Sequence, residues 1–303
     1  MNRLARAWDT DLAYSFRHSP VALVSALLLL LLLGGALLCG TVAPYNPFDL
    51  ATLNLMDSLQ PPAFLQDGTA AHLLGTDDQG RDVLSAILYG LRISLIVGVL
   101  SVTFAITVGI AVGLLAGYAG GTTDALLMRI ADVQLSFPAI LIALLVDGIV
   151  SASLSPALHD RLQIFVLVFA IGISFWPQFA RTVRGSTMVE RGREYVMAAR
   201  VIGLAPTRIM LTHILPNVLG PVLVIGTLTL GLAIISEATL SFLGVGLPAT
   251  QPSVGTLIRV GNDFLFSGEW WIALFPGIAL VLTVLSINLL GDWLRDALNP
   301  RLR

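Results

Sequence analysis

Lysine is missing from all 303 residues, and the seventeen basic positions are arginines. A phosphate-binding P-loop sets a lysine against the phosphates, and Schiff-base chemistry also needs one, so this chain carries neither. If ATP drives the protein, another polypeptide binds the nucleotide. Cysteine is nearly missing too: Cys39 stands alone, which excludes an intrachain disulfide framework and a thiolate metal site. The four histidines, His18, His72, His159 and His213, are scattered with no metal-pair spacing. No catalytic constellation emerges, and the chain reads as a non-enzyme. Charge is scarce: 12% of residues are charged, against about a quarter in soluble domains. The net charge of −2 argues against a nucleic-acid partner.

What remains is hydrocarbon. With 56% hydrophobic residues and a mean hydropathy of +0.86, the chain is an integral membrane protein before any motif is considered. Apolar spans near the ~20 residues that a bilayer core requires fall at 21–38, 93–116, 126–150, 162–179, 218–240 and 271–290. The first exceeds the roughly 7–15-residue core of a cleaved signal peptide. It is expected to be a transmembrane helix, with Cys39 a small apolar residue at its end. The expected organisation is a polar segment 1–19, a first transmembrane helix 20–42, a loop 43–90, a five-helix core 91–292 and a charged tail 293–303. The loop bears Asp49, Asp57, Asp67, Asp77, Asp78 and Asp82. It is too short for a core of its own and should pack on the helices. Gly109, Gly113 and Gly117 place small residues on one helix face for close packing. A polar stretch with Pro248 and Pro252 separates the last two spans.

Arginine counting gives the orientation. With the N-terminus inside, the inner segments hold Arg3, Arg6, Arg17, Arg129, Arg181, Arg184, Arg191, Arg193, Arg200, Arg208, Arg295, Arg301 and Arg303. The outer ones hold only Arg81, Arg92, Arg161 and Arg259. Both termini are therefore expected in the cytoplasm. Trp270, Trp271 and Trp293 suit interfacial belts.

Ionisable groups within spans are costly and often functional, which singles out Asp132, Asp147 and Glu237. Asp132 follows Arg129 by three residues, a spacing that permits a helical pair. Asp147 lies near the outer end of its span, where water can hydrate it. Glu237 has no basic neighbour, and either a water-filled pathway or an interhelical hydrogen bond would accommodate it. Asp132 and Glu237 are the pathway candidates. Such carboxylates also fit a proton-coupled secondary transporter, but no internal repeat of the kind found in that class is present.

Residues 194–217, EYVMAARVIGLAPTRIMLTHILPN, form a polar stretch between two spans on the expected cytoplasmic side. The pattern predicts a helix over 194–202, a corner at Gly203, and a second helix opening near Pro206 and closing before Pro216.

These strings resemble one family throughout: the permease subunits of binding-protein-dependent ABC importers, in particular the second permease of dipeptide, oligopeptide and nickel systems. The matching strings are APYNP (43–47), HLLGTDDQGRDVLSAILYG (72–90), GLLAGYAGGTTDALLMRIADVQLSFP (113–138), EYVMAARVIG with LPN (194–217), SEATLSFLGVG (236–246) and GDWLRDALNPRLR (291–303). The family's cytoplasmic signature reads EAA, three residues, G, nine residues, I, one residue, LP. Ala198, Ala199, Gly203, Leu215 and Pro216 match it. Met197 and His213 stand at its glutamate and isoleucine positions, which leaves Glu194 as the candidate acid. The resemblance implies an all-α, six-helix type I ABC importer permease fold in the bacterial inner membrane, and coupling helices at 194–216. The coupling residues would be Glu194, Ala198, Ala199, Arg200, Gly203, Pro206, Leu215 and Pro216, seated on a cytoplasmic ATPase. Ala198, Ala199 and Gly203 are small enough for close docking, and Arg193, Arg200 and Arg208 suit acidic groups around the groove. Implied partners are a second, homologous permease, one or two ATPase subunits holding ATP and magnesium, and a periplasmic binding protein. The outer segments 41–90 and 245–270 would face that binding protein. No cofactor is expected in this chain. Family members carry dipeptides, longer peptides, nickel chelates, glutathione or peptide antibiotics.

Overall fold

The computed structural model describes residues 11–49, 53, 55–247 and 251–298. Arg3, Arg6, Pro248, Arg301 and Arg303 lie outside the described residues. The architecture is helical, and an isolated antiparallel bridge, Thr76 to Asp82, is the one β pairing among the described residues. A short helix α1 (Asp11–His18) leads into α2 (Pro20–Leu37), whose N-cap Ser19 accepts the Ala22 N–H and whose Pro20 suits a first turn. Cys39 is buried beyond the end of α2, a free thiol, as its expected apolar role requires.

Long helices follow. They are α3 (Val83–Ala119), α6 (Pro156–Arg191), α8 (Pro206–Phe242) and α10 (Trp271–Leu298). At 1.5 Å per residue all four exceed a hydrocarbon core of about 30 Å, so the apolar windows in the sequence were shorter than the helices that contain them. Among the described residues, five helices are long and apolar enough to cross a membrane.

The sixth is broken. Residues 126–150 are expected to be one span but form α4 (Gly121–Leu135) and α5 (Ala139–Ser153), bent by 91°. Pro138 stands at the break. It lacks an N–H and disfavours helical geometry at Phe137, while Ser136 caps α4 through its N–H and hydroxyl, both onto the Asp132 carbonyl. Counted as one bent span, the pair brings the total to six.

The described residues divide into two compact units. One takes Met1–Gly98, Leu154–Ile164 and Gly231–Arg303, the other Val99–Ser153 and Phe165–Leu230. In the first, α10 packs on α2 and on α9 (Val254–Phe264). Helix α9 occupies a stretch read from sequence only as polar, and it buries Val254, Leu257 and Gly261 on one face. The described part of the acidic loop is held by its own polar contacts. Asp77 accepts the Gln79 and Arg81 N–H groups and pairs with the Arg81 guanidinium at 2.6 Å. Asp82 caps α3 through Ser85 and holds His72 at 3.2 Å. Trp271, expected at a membrane interface, is instead buried and donates to the Thr76 carbonyl at 3.1 Å. Its indole staples the loop to α10. Trp293 reaches back to Ser15.

In the second unit the glycine seam lies against α6. A methyl at Gly109 would stand 2.3 Å from Phe179 Cβ, at Gly113 2.6 Å from the Ala180 carbonyl oxygen, and at Gly117 2.7 Å from Thr187 Cβ. Backbones approach this closely only where side chains are absent, which is what four-residue glycine spacing accomplishes.

Candidate functional site

The polar connection folds as α7 (Glu194–Val201), a corner, and the start of α8. Gly203 takes φ +84°, its N–H bonds the Arg200 carbonyl at 3.0 Å, and the Leu204 N–H bonds the Ala199 carbonyl at 3.1 Å. This pair of bonds is a Schellman motif, and its left-handed position favours glycine. Beyond the corner, Pro206 opens α8. The second helix does not close before Pro216. Residues Ile209–Ile214 are π-helical, with the Leu215 N–H bonded five residues back to Met210. This wider turn carries the chain into Pro216, and α8 continues to Phe242.

Side chains sort sharply on α7. Val196 and Ala199 are buried against the body, while Glu194, Met197, Ala198, Val201 and Ile202 are exposed. Those five recur at intervals of three and four residues on one helical face, while Tyr195 and Arg200 are exposed to either side of it. Of the small residues expected to dock, Ala198 and Gly203 lie on the outside and Ala199 does not: it is packing under the helix. Leu215 is half-buried, whereas Pro206 and Pro216 are exposed. Two side chains were not anticipated. Val201 is 89% exposed and Ile202 76%, making an apolar tip beside the corner. Their signal in the sequence is a β-branched pair directly before the glycine of a polar connection.

The element is tied down at three points. The Tyr195 hydroxyl donates to Glu190 and accepts from Asn217 Nδ2 at 3.0 Å, joining α7 to the end of α6 and to α8. Burial pushes its phenol above the ordinary value, and the Glu190 contact adds to this. The Arg200 guanidinium lies 4.9 Å from the Tyr118 ring centroid, and Arg191 donates to the Tyr118 carbonyl at 3.0 Å, anchoring the connection on the end of α3. Arg193 pairs with Glu190 at 3.8 Å. Arg193 and Arg200, expected to reach outward to acidic groups, are thus engaged within the chain.

The intramembrane acids occupy three different settings. Asp132 pairs with Arg181 of α6, not with Arg129 one turn away on its own helix. Asp124 pairs with Arg184 in the same manner. Alongside them, Gln134 donates to the Ile173 carbonyl and accepts from the Trp176 indole, so polar contacts stitch α4 to α6 along its length. Asp147, expected to be hydrated, is buried. Glu237 is fully buried in the first unit, accepting the Ser241 hydroxyl at 2.7 Å. The Ser94 and Ser253 hydroxyls also face it from α3 and the N-cap of α9, while Oε2 has no hydrogen-bond partner among the described residues. The hydrogen bond observed is to Ser241 of the same helix, and the Ser94 and Ser253 hydroxyls stand near from other elements.

Comparison with known proteins agrees along the chain. Residues 109–303 match the family described as the inner membrane component of binding-protein-dependent transport systems, and residues 5–62 match the N-terminal transmembrane domain of oligopeptide transport permease C. The chain is 39% identical over 289 residues to the di/tripeptide transport system permease protein DppC of Pseudomonas aeruginosa, covering 95% of this chain and 91% of that protein. It is 41% identical over 291 residues to the dipeptide transport system permease protein DppC of Escherichia coli K12, with the same coverages. A chain of the MetNI methionine ABC transporter in an inward-facing conformation shares its fold, at a TM-score of 0.56 and 18% identity, covering 71% of this chain and 96% of that one. Matched from its first helix to its last, this multi-pass membrane chain belongs to the family of binding-protein-dependent transport system inner membrane components.

Proposed function

We propose that this chain is one of two membrane subunits of an ATP-driven importer of dipeptides and short oligopeptides. The relatives' names support the substrate class, and their identity extends over nearly the whole chain. The second membrane subunit is a related permease, a periplasmic binding protein delivers the peptide, and one or two cytoplasmic ATPases hold ATP and magnesium. The arginine distribution supports a cytoplasmic side for both termini and residues 194–217.

The observation that carries this reading is the exposed apolar tip at Val201 and Ile202 on a braced corner. Two large apolar side chains held in water are a docking feature when they crown a polar, well-anchored element. The tip, with Glu194, Met197 and Ala198 beside it, is the surface an ATPase groove would receive. Arg200, Tyr195 and the Schellman turn then transmit a push on that surface to the ends of α3, α6 and α8.

The test is reconstitution with the second permease, the ATPases and the binding protein. Gly203→Leu forces a side chain into a left-handed position, a strain of about 1–2 kcal/mol, with no clash around the missing Cβ. It should reach the membrane normally, keep hydrolysing ATP and lose peptide uptake. Val201→Asp should lower ATPase co-purification roughly tenfold or more, since a central apolar anchor is worth about 2 kcal/mol. Full uptake in both variants would remove the element from the mechanism. Labelled dipeptide uptake competed by peptides and not by nickel would assign the substrate class.

A further inference from the structure

Helix α4 carries three charged side chains, Asp124, Arg129 and Asp132. Both carboxylates are consumed by arginines of α6, Asp124 by Arg184 and Asp132 by Arg181. Four opposite charges cancel in these pairs, and Arg129 is left over. It forms no hydrogen bond or ion pair among the described residues, and it is exposed. Its surroundings are apolar. It borders a groove of about 390 Å³ with Ile130, Val133, Gln134, Phe137 and Ile142. Leu126, Ile130, Val133 and Phe137 recur at helical spacing and are each at least half exposed.

Arg129 lies eight residues into α4, roughly 12 Å along the helix from its start, within the bent pair that makes the sixth span. By the arginine count Arg129 stands toward the cytoplasmic end of that span, and a guanidinium beside exposed hydrocarbon there is costly unless it reaches water or a counter-charge. A transported molecule is present only during a transport cycle. A carboxylate supplied by a permanent neighbour offsets the cost throughout, and the apolar stripe gives that neighbour something to pack on.

We propose that the exposed face of α4 is the docking surface for the second membrane subunit of the importer, which presents an apolar helix face carrying an Asp or Glu that pairs with Arg129. This rests on the reading that the chain works beside a second permease. Arginine suits the task because it stays charged at every accessible pH and grips a carboxylate with two parallel N–H groups. The groove beside it takes the apolar residues flanking that acid.

The experiment co-expresses the chain with the second permease and the ATPases, purifies through a tag on this chain in mild detergent, and quantifies the second permease recovered. Arg129→Glu is expected to lower its recovery about tenfold or more, as for loss of a buried hydrogen-bonded charge pair. The variant's own membrane abundance should remain normal. Arg129→Lys should retain recovery within a few-fold, and Arg129→Gln should fall between the two. An Asp or Glu to Arg change in a membrane segment of the second permease should restore recovery to Arg129→Glu. Four results would overturn the proposal. Unchanged recovery with unchanged uptake denies Arg129 any such role. Unchanged recovery with lost uptake assigns Arg129 to the transported molecule instead. Equal loss of recovery for the wild type in phosphatidylcholine nanodiscs makes an anionic lipid phosphate the counter-ion. Loss of recovery in Arg129→Glu that no acid-to-arginine change reverses removes the carboxylate pairing. Recovery of a complex that never transports peptide would count against the peptide assignment alone, leaving the interface intact.

Discussion

Glu237 shows how a carboxyl is kept in a membrane interior without a cation. It meets a serine four residues along its own helix and hydroxyls from α3 and the N-cap of α9, so three elements converge on one group. Glu237→Gln preserves the shape and can donate to the surrounding serine oxygens, so it should be tolerated. Glu237→Leu strands the Ser241 hydroxyl in a buried site, a loss of about 1–3 kcal/mol that thermal unfolding of the detergent-solubilised protein would register. Equal melting of the two variants would contradict this account. A second acid makes the opposite case. Burial, with the neighbouring Asp77 charge next, holds Asp78 above the ordinary carboxylate value, and its Oδ1 has no hydrogen-bond partner among the described residues. A raised carboxyl binds protons more tightly folded than unfolded. Its ionisation therefore costs nothing well below the ordinary carboxylate value of 3.8, costs progressively more as pH climbs through that value, and reaches its full cost above the folded one. Asp78→Asn is expected to stabilise the protein at neutral pH and to leave it unchanged near pH 3; an equal gain at both would rule the mechanism out. These settings were only partly legible in the sequence. Spacing offered Arg129 to Asp132, but Arg181, 49 residues away, took it, because tertiary partners leave no trace in local periodicity.

Elements repeat the lesson with the balance reversed. The seam of Gly109, Gly113 and Gly117 was plain from its four-residue spacing, since only packing explains small residues at that interval, and the partner turns out to be α6. Gly113→Val is therefore expected to disrupt α3 against α6 and cost about 1–3 kcal/mol or more from overpacking. Gly185→Ala, where an added methyl meets nothing within 4 Å, should be close to neutral. Comparable losses of folded protein in the two, read by fluorescence size-exclusion, would refute the seam. Proline gave less guidance. Pro138 ends a helix and turns the chain through 91°, yet Pro177, Pro221 and Pro276 sit inside continuous helices. The residue type is the same in each, so proline alone does not decide whether a break is realised. Helix α9 was missed because its polar flanks and two prolines hid a one-sided apolar pattern only eleven residues long.

For the whole molecule, hydropathy located the spans and arginine asymmetry suggested their direction, because both reflect the solvent more than any specific contact. A thiol-labelling experiment tests that direction directly. Cys39 is the single native cysteine and is buried, so an introduced cysteine reports against a quiet background. Ile202→Cys should react with an impermeant maleimide in inside-out vesicles and not in intact cells with permeabilised outer membranes. Gln66→Cys, exposed in the loop, should do the reverse. The opposite pattern would invert the topology and put residues 194–217 on the wrong side for an ATPase.

The π-helical turn at Ile209–Ile214 has a consequence for how the tip is aimed. One residue more than an α-helical turn needs is threaded there, and each residue advances an α-helix by about 100°. Deleting Leu211, whose side chain is exposed, would let the turn relax to regular helix. Everything ahead of it, from Glu194 to Gly203, would then swing by about that angle around the axis of α8. The compass bearing of Val201 and Ile202 is thus written outside the residues that carry it, as a phase offset of a single residue.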